Sequence, residues 1–137
     1  MKKYGKNKMS REPINFSEIE TLEPVPSGTY AVRIEEANAQ TSKKGNEMLA
    51  LRFAVAEGDY VGQNIFDYVT FSSKSLYRVR EFYAALGFCE ADSEEEFTPP
   101  EDSELIGLEL QVKVKLETSE YDGEIRNKSV VKKYYTL

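Results

Sequence analysis

The chain has 137 residues, 40% hydrophobic and 31% charged, with a formal net charge of −6. That suits one globular domain and excludes a bundle of membrane helices, because no apolar run approaches the ~20 residues each would need. Histidine is missing and Cys89 is the single cysteine, which removes the commonest general base and metal ligand and leaves no internal disulfide.

Residues 1–13 are polar, aperiodic and basic, with Lys2, Lys3, Lys6, Lys8 and Arg11 and no acid before residue 12. They are expected to form a flexible arm ahead of a single domain over residues 14–137, either a solubilising tail or a phosphate contact. They lack the apolar stretch of a secretory signal, and the lone cysteine agrees with a reducing compartment, so a cytoplasmic protein is expected. Ile14, Phe16, Ile19 and Leu22 follow at helix-compatible spacing, and the run Glu23-Pro24-Val25-Pro26-Ser27-Gly28 breaks the chain.

The first strand is expected over residues 29–37, with Tyr30, Val32 and Ile34 on one face and Ala31, Arg33 and Glu35 on the other. Lys43 and Lys44 stand in a glycine-containing turn before a second strand over 48–57. Leu49, Leu51, Phe53 and Val55 form its core face, and Arg52 interrupts an opposite face of alanines. After Gly58-Asp59 and Gly62, a third strand over 63–71 is apolar or aromatic on both sides, with Ile65, Val69 and Phe71 on one and Phe66 and Tyr68 on the other. Alternation leaves open which set is buried.

Ser72-Ser73 offers an N-cap to a helix reaching residue 86, whose stripe Leu76, Val79, Phe82, Tyr83 and Leu86 precedes Gly87. Residues 90–104 hold Glu90, Asp92, Glu94, Glu95, Glu96, Glu101, Asp102 and Glu104 with no base, an acidic connector. Leu108, Leu110, Val112, Val114 and Leu116 then alternate with polar residues as a fourth strand, and Tyr121-Asp122-Gly123-Glu124 turns it into a fifth over 125–134. The composite is all-β with one helix between strands 3 and 4. Without βαβ alternation this points to a five-stranded Greek-key barrel, the OB-fold, which binds oligonucleotides across strands 2 and 3.

The order Gly28-Thr29-Tyr30, then 41–48 (Thr-Ser-Lys-Lys-Gly-Asn-Glu-Met), then Gly58-Asp59-Tyr60-Val61-Gly62 resembles a family of small bacteriophage proteins long of unknown function. Leu105-Ile106-Gly107, Tyr121-Asp122-Gly123 and Asn127 extend the resemblance over residues 26–135. That family is similar in organisation to phage single-stranded-DNA-binding proteins of OB-fold type. The resemblance implies a phage or prophage protein that coats single-stranded DNA in replication or recombination. Proteins of this function often end in an acidic tail, whereas here the acidic run is internal and the last residues are Lys132-Lys133-Tyr134-Tyr135-Thr136-Leu137.

Sequence-independent single-strand binding needs a cationic groove and aromatic faces on which bases stack. The candidate cations are Arg33, Lys43, Lys44, Arg52, Arg126 and Lys128, and the candidate rings are Tyr60, Phe66, Tyr68 and Tyr121. Against these stand plainer readings, lysines merely solvated in a hairpin and aromatics packed in a core. No calcium-loop spacing or phosphate-binding glycine loop occurs, so no enzyme, metal or cofactor is expected. Expected partners are single-stranded DNA and replication or recombination proteins; exposed barrel edges are compatible with a homodimer. The rival is a protein-interaction barrel docking through the acidic connector, which also reads as a solvated loop or as a mimic competing for the groove.

Overall fold

The computed structural model describes residues 24–137, so the basic arm and the segment 14–22 lie outside the described residues. Five strands, β1 (Gly28–Thr41), β2 (Glu47–Val55), β3 (Asn64–Thr70), β4 (Glu109–Tyr121) and β5 (Glu124–Tyr135), form one antiparallel sheet of order β3-β2-β1-β4-β5. A single α-helix, α1 (Leu76–Ala85), and a 3-10 turn (Asp102–Leu105) lie between β3 and β4. Antiparallel pairing along that order makes the two edge strands, β3 and β5, run parallel to one another.

β1 is longer than its alternation predicts because it serves two neighbours. Gly28–Arg33 pair with β4 and Val32–Thr41 with β2, with a bulge between Ile34 and Glu36. A bulge sharpens the local twist, so the sheet curls. Its inward face buries Val32, Ile34, Leu49, Leu51, Phe53, Ile65, Val69, Leu110, Val112, Val114 and Val131, and α1 covers this core with Val79, Phe82 and Tyr83. Phe82 meets Tyr134 at 5.2 Å between ring centroids, tilted by 68°, an edge-to-face contact of the kind aromatic pairs favour.

The hydrogen-bonded ladder is open between β3 and β5. Side chains join these edges instead. Asp67 on β3 accepts a bond from Arg78 of α1 at 2.7 Å and another from the hydroxyl of Tyr134 on β5, while Arg78 also donates to the Val131 carbonyl at 3.3 Å. Burial opposes the Arg78 charge, but Asp67 outweighs it and holds the guanidinium pKa above its ordinary value. Burial, with the adjacent Asp67 charge, pushes the Tyr134 phenol well up.

Ser72 and Ser73 do not cap the helix. Ser75 N–H bonds the Ser72 carbonyl in a turn, and α1 starts at Leu76 without a side-chain cap, so its apolar face, not its terminus, holds it in place. Leu76 stands outside the buried stripe. The hairpin after β4 is as predicted: Asp122 and Gly123 take φ of 52° and 78°, the paired left-handed conformations of a two-residue turn whose twist matches its strands. None of the described helices is long and apolar enough to cross a membrane.

Candidate nucleic-acid interface

With α1 and the core on one side, the other side of the sheet faces solvent, and its rows follow from the register. Starting at the β1–β2 turn, successive rows hold Gln40, Met48 and Thr70; Asn38, Ala50 and Tyr68; Glu36, Arg52 and Phe66; and Arg33, Ala54, Asn64 and Glu109. Further along β1 come Ala31, Gln111 and Tyr135, then Thr29, Lys113 and Lys133. β1 is the spine of this track, about 40 Å long at roughly 3.3 Å per residue.

Two rings stand free on it. Phe66 is 59% and Tyr68 52% exposed, on the same side of β3 beside the short side chains of Ala50 and Ala54. Ile65 and Val69 are the buried set, which answers what alternation left open. Tyr135 adds a third exposed ring on the same face. The alternation ended β5 at Tyr134 and missed it, although adjacent tyrosines in a strand must face opposite ways. Tyr60 is not brought to this track; it packs half-buried against Tyr30, edge-on with centroids 6.0 Å apart. Tyr121 pairs with Glu124 at the far end of β4.

The cations fall into three groups. Lys43 and Lys44 cap one end of the track, both exposed, in a turn that is hydrogen-bonded rather than loose: Ser42 N–H reaches the Asn46 carbonyl at 2.7 Å, and Asn46 N–H reaches Ser42 Oγ at 3.0 Å. Gly45, at φ of 85°, supplies the left-handed residue that closes it. Arg52 and Arg33 occupy the middle, and both have carboxylate partners. Arg52 binds Glu36 at 2.7 Å and Arg33 meets Glu35 at 3.5 Å. The expected outward position of Glu35 is shifted by the bulge, which makes Glu36 the partner in the Arg52 row.

Beyond the arginines, β4 and β5 carry a third group that the sequence reading only half found. Arg126 and Lys128 stand on the outer part of this hairpin, exposed, with Arg126 against Glu124 at 3.1 Å. Lys113 and Lys133 lie directly opposite one another, and neither has an ion-pair partner among the described residues. Like charges facing across a ladder are unfavourable unless something anionic covers them. Lys132 hydrogen-bonds Glu117 at 2.6 Å. That bond, with the charges of Lys132, Lys115 and Lys128, lowers the Glu117 pKa against its slight burial, so these lysines converge on one carboxylate. Lys113 and Lys115 were visible as the polar half of the β4 alternation; their pairing with β5 was not.

The acidic connector is strapped to the fold. Arg80 Nη1 bonds the Ser93 carbonyl at 2.9 Å, Phe97 packs on Tyr83 with ring centroids 5.2 Å apart, and Leu105, just after it, is fully buried. Cys89, half-buried after α1, has a thiol pKa raised by burial. The described residues contain no cluster of three or more His, Cys, Asp or Glu suited to a metal ion.

Residues 13–134 match the family described as "Protein of unknown function (DUF669)". The chain belongs to that family. The matched span includes every track residue named above except Tyr135. No curated protein matches the chain.

Proposed function

We propose that this member of the family is a non-catalytic single-stranded-DNA-binding protein that coats exposed strands across the outward face of β1–β3 and the flanking lysines. The observation that carries this reading is the pair of solvent-facing rings, Phe66 and Tyr68, beside Arg52 on a sheet face with lysines at both ends. Rings on a water-exposed strand leave apolar surface uncovered, and unpaired bases offer flat faces to cover it. Strand order β3-β2-β1-β4-β5, a helix after β3, and the Asp67 link between β3 and β5 support a barrel of OB type closed along those edges. The resemblance to small bacteriophage proteins supplies the setting, a phage or prophage protein of replication or recombination in the host cytoplasm.

Fluorescence anisotropy with labelled single-stranded DNA, duplex and RNA over a salt series tests the reading. Single-strand binding that outcompetes duplex and weakens with salt is expected; no binding at low salt overturns it. Each phosphate contact contributes a log–log salt slope of about −0.7. Changing both Lys113 and Lys133 to Gln is therefore expected to flatten the slope by roughly 1.4 if each holds one phosphate. Glu36 acts in the opposite sense, because it occupies the guanidinium that a phosphate would take. Glu36→Gln is expected to tighten binding by up to about fivefold, the scale of an exposed ion pair of ~1 kcal/mol, and weaker binding would show that Glu36 positions Arg52 instead.

The second reading, a protein-interaction barrel, is favoured by one observation, an apolar cleft with an acidic rim between α1 and the connector.

A further inference from the structure

That cleft, of about 790 Å³, lies between α1 and the connector and reaches Met48 at one end of the outward sheet face. Its walls are apolar, with Phe71, Val79, Tyr83 and Phe97, and at its mouth Leu76 and Tyr77 are 53% and 65% exposed. Four acids line it, Glu47, Glu94, Glu95 and Asp102, against one cation, Arg80, which is already bonded to the Ser93 carbonyl. Burial, with the charges of Asp102 and Glu47, pushes the Tyr83 phenol up to about 12. A ligand suited to this site combines several cations with apolar side chains between them.

The chain itself contains such a stretch ahead of its first strand. Residues 1–11 carry five cations, Lys2, Lys3, Lys6, Lys8 and Arg11, no acid, and Tyr4 and Met9 among them. The described chain begins against β5, the strand to which the cleft's helix is bonded. Val25 is buried and its carbonyl accepts the Ser129 hydroxyl at 2.8 Å, and two residues along β5 the Val131 carbonyl accepts from Arg78 of α1. Two residues of strand and one arginine side chain thus separate Val25 from the helix that walls the cleft, roughly 20 Å. Residues 12–23 span up to ~40 Å when extended, enough to deliver residues 1–11 to it.

We propose that the acidic cleft is the docking site for the chain's own basic segment, residues 1–11. Tethering makes this binding intramolecular, with an effective concentration that a separate partner would have to exceed. On the proposed function, docking withholds five cations from nucleic acid, and a phosphate backbone competes with the cleft for them.

The test uses the full chain and no DNA, so it stands apart from the binding reading. A nitroxide is placed on Lys3→Cys in a Cys89→Ser background, and amide signals are followed by NMR. At low ionic strength the amides of residues 76–80 and 93–97 are expected to broaden, with recovery on adding salt. The same broadening should be lost when Glu94 and Glu95 are both changed to Lys; the salt series on the native acids reads the same interaction if that variant folds poorly. Unbroadened cleft amides at low salt overturn the proposal and leave the cleft to a foreign partner. Broadening that appears only when isotope-labelled protein is mixed with spin-labelled protein overturns it in favour of a second copy. Broadening confined to the outward sheet face overturns it as well.

Discussion

Arg78→Met is expected to lower the unfolding free energy by roughly 3 kcal/mol, because it strands a carboxylate inside the fold. Asp67 is 14% and Arg78 22% exposed at the side chain, so neither is well solvated once its partner is gone. The guanidinium touches β3 through Asp67 and the Tyr68 carbonyl, and β5 through the Val131 carbonyl, so its loss leaves the Tyr134–Asp67 bond as the remaining side-chain hydrogen bond between the two sheet edges among the described residues. Urea denaturation reads the effect as a lower midpoint. Adding Asp67→Leu to Arg78→Met should restore part of the loss, since the cost lies in the unpaired charge; no recovery would place it in the packing instead.

Tyr134 belongs to the same cluster and has its own pH signature. Its phenol pKa is raised in the folded state, so the folded chain holds the neutral form where the unfolded chain has begun to ionise. That stability is fully present below the ordinary phenol pKa of about 10 and is lost as pH rises above it. Tyr134→Phe should flatten the alkaline decline at a cost near neutrality of about 1 kcal/mol, the worth of one hydrogen bond.

Replacing Phe66 and Tyr68 together by alanine is expected to weaken single-stranded-DNA binding by at least about thirtyfold. Each base–ring stack contributes ~1–3 kcal/mol, and two independent stacks combine. Both rings are more than half exposed, so their loss leaves the core intact and the denaturation midpoint close to that of the native chain. Tyr60→Ala gives the contrast, because its ring packs on Tyr30 and its removal should lower stability more than affinity. Unchanged anisotropy titrations for the double variant would remove the aromatic track as the binding surface.

Much of this track could be read from residue order. Alternation assigned Arg33, Arg52, Lys113 and Lys115 to the polar sides of their strands, and Gly45 with its two lysines marked the turn between β1 and β2. It did not reveal that Arg52 is held by Glu36, because one bulged residue at Glu35 changes the row that follows it. Nor did it reveal that Lys113 faces Lys133, since the register of β5 carries a second irregularity next to Val114. A period of two predicts neighbours only while the count on both strands stays equal.

β3 shows where local pattern ends. Its residues divide by alternation into Ile65, Asp67 and Val69 against Phe66 and Tyr68, and the charged Asp67 argues that its own side faces water. The sequence alone therefore determines that these two sets lie on opposite sides. Which side is buried was decided by α1 and β5, which bring Arg78 and Tyr134 to Asp67 and satisfy a carboxylate that hydrophobicity would have sent outward. Burial of a polar group depends on partners distant along the chain, and only the folded chain assembles them.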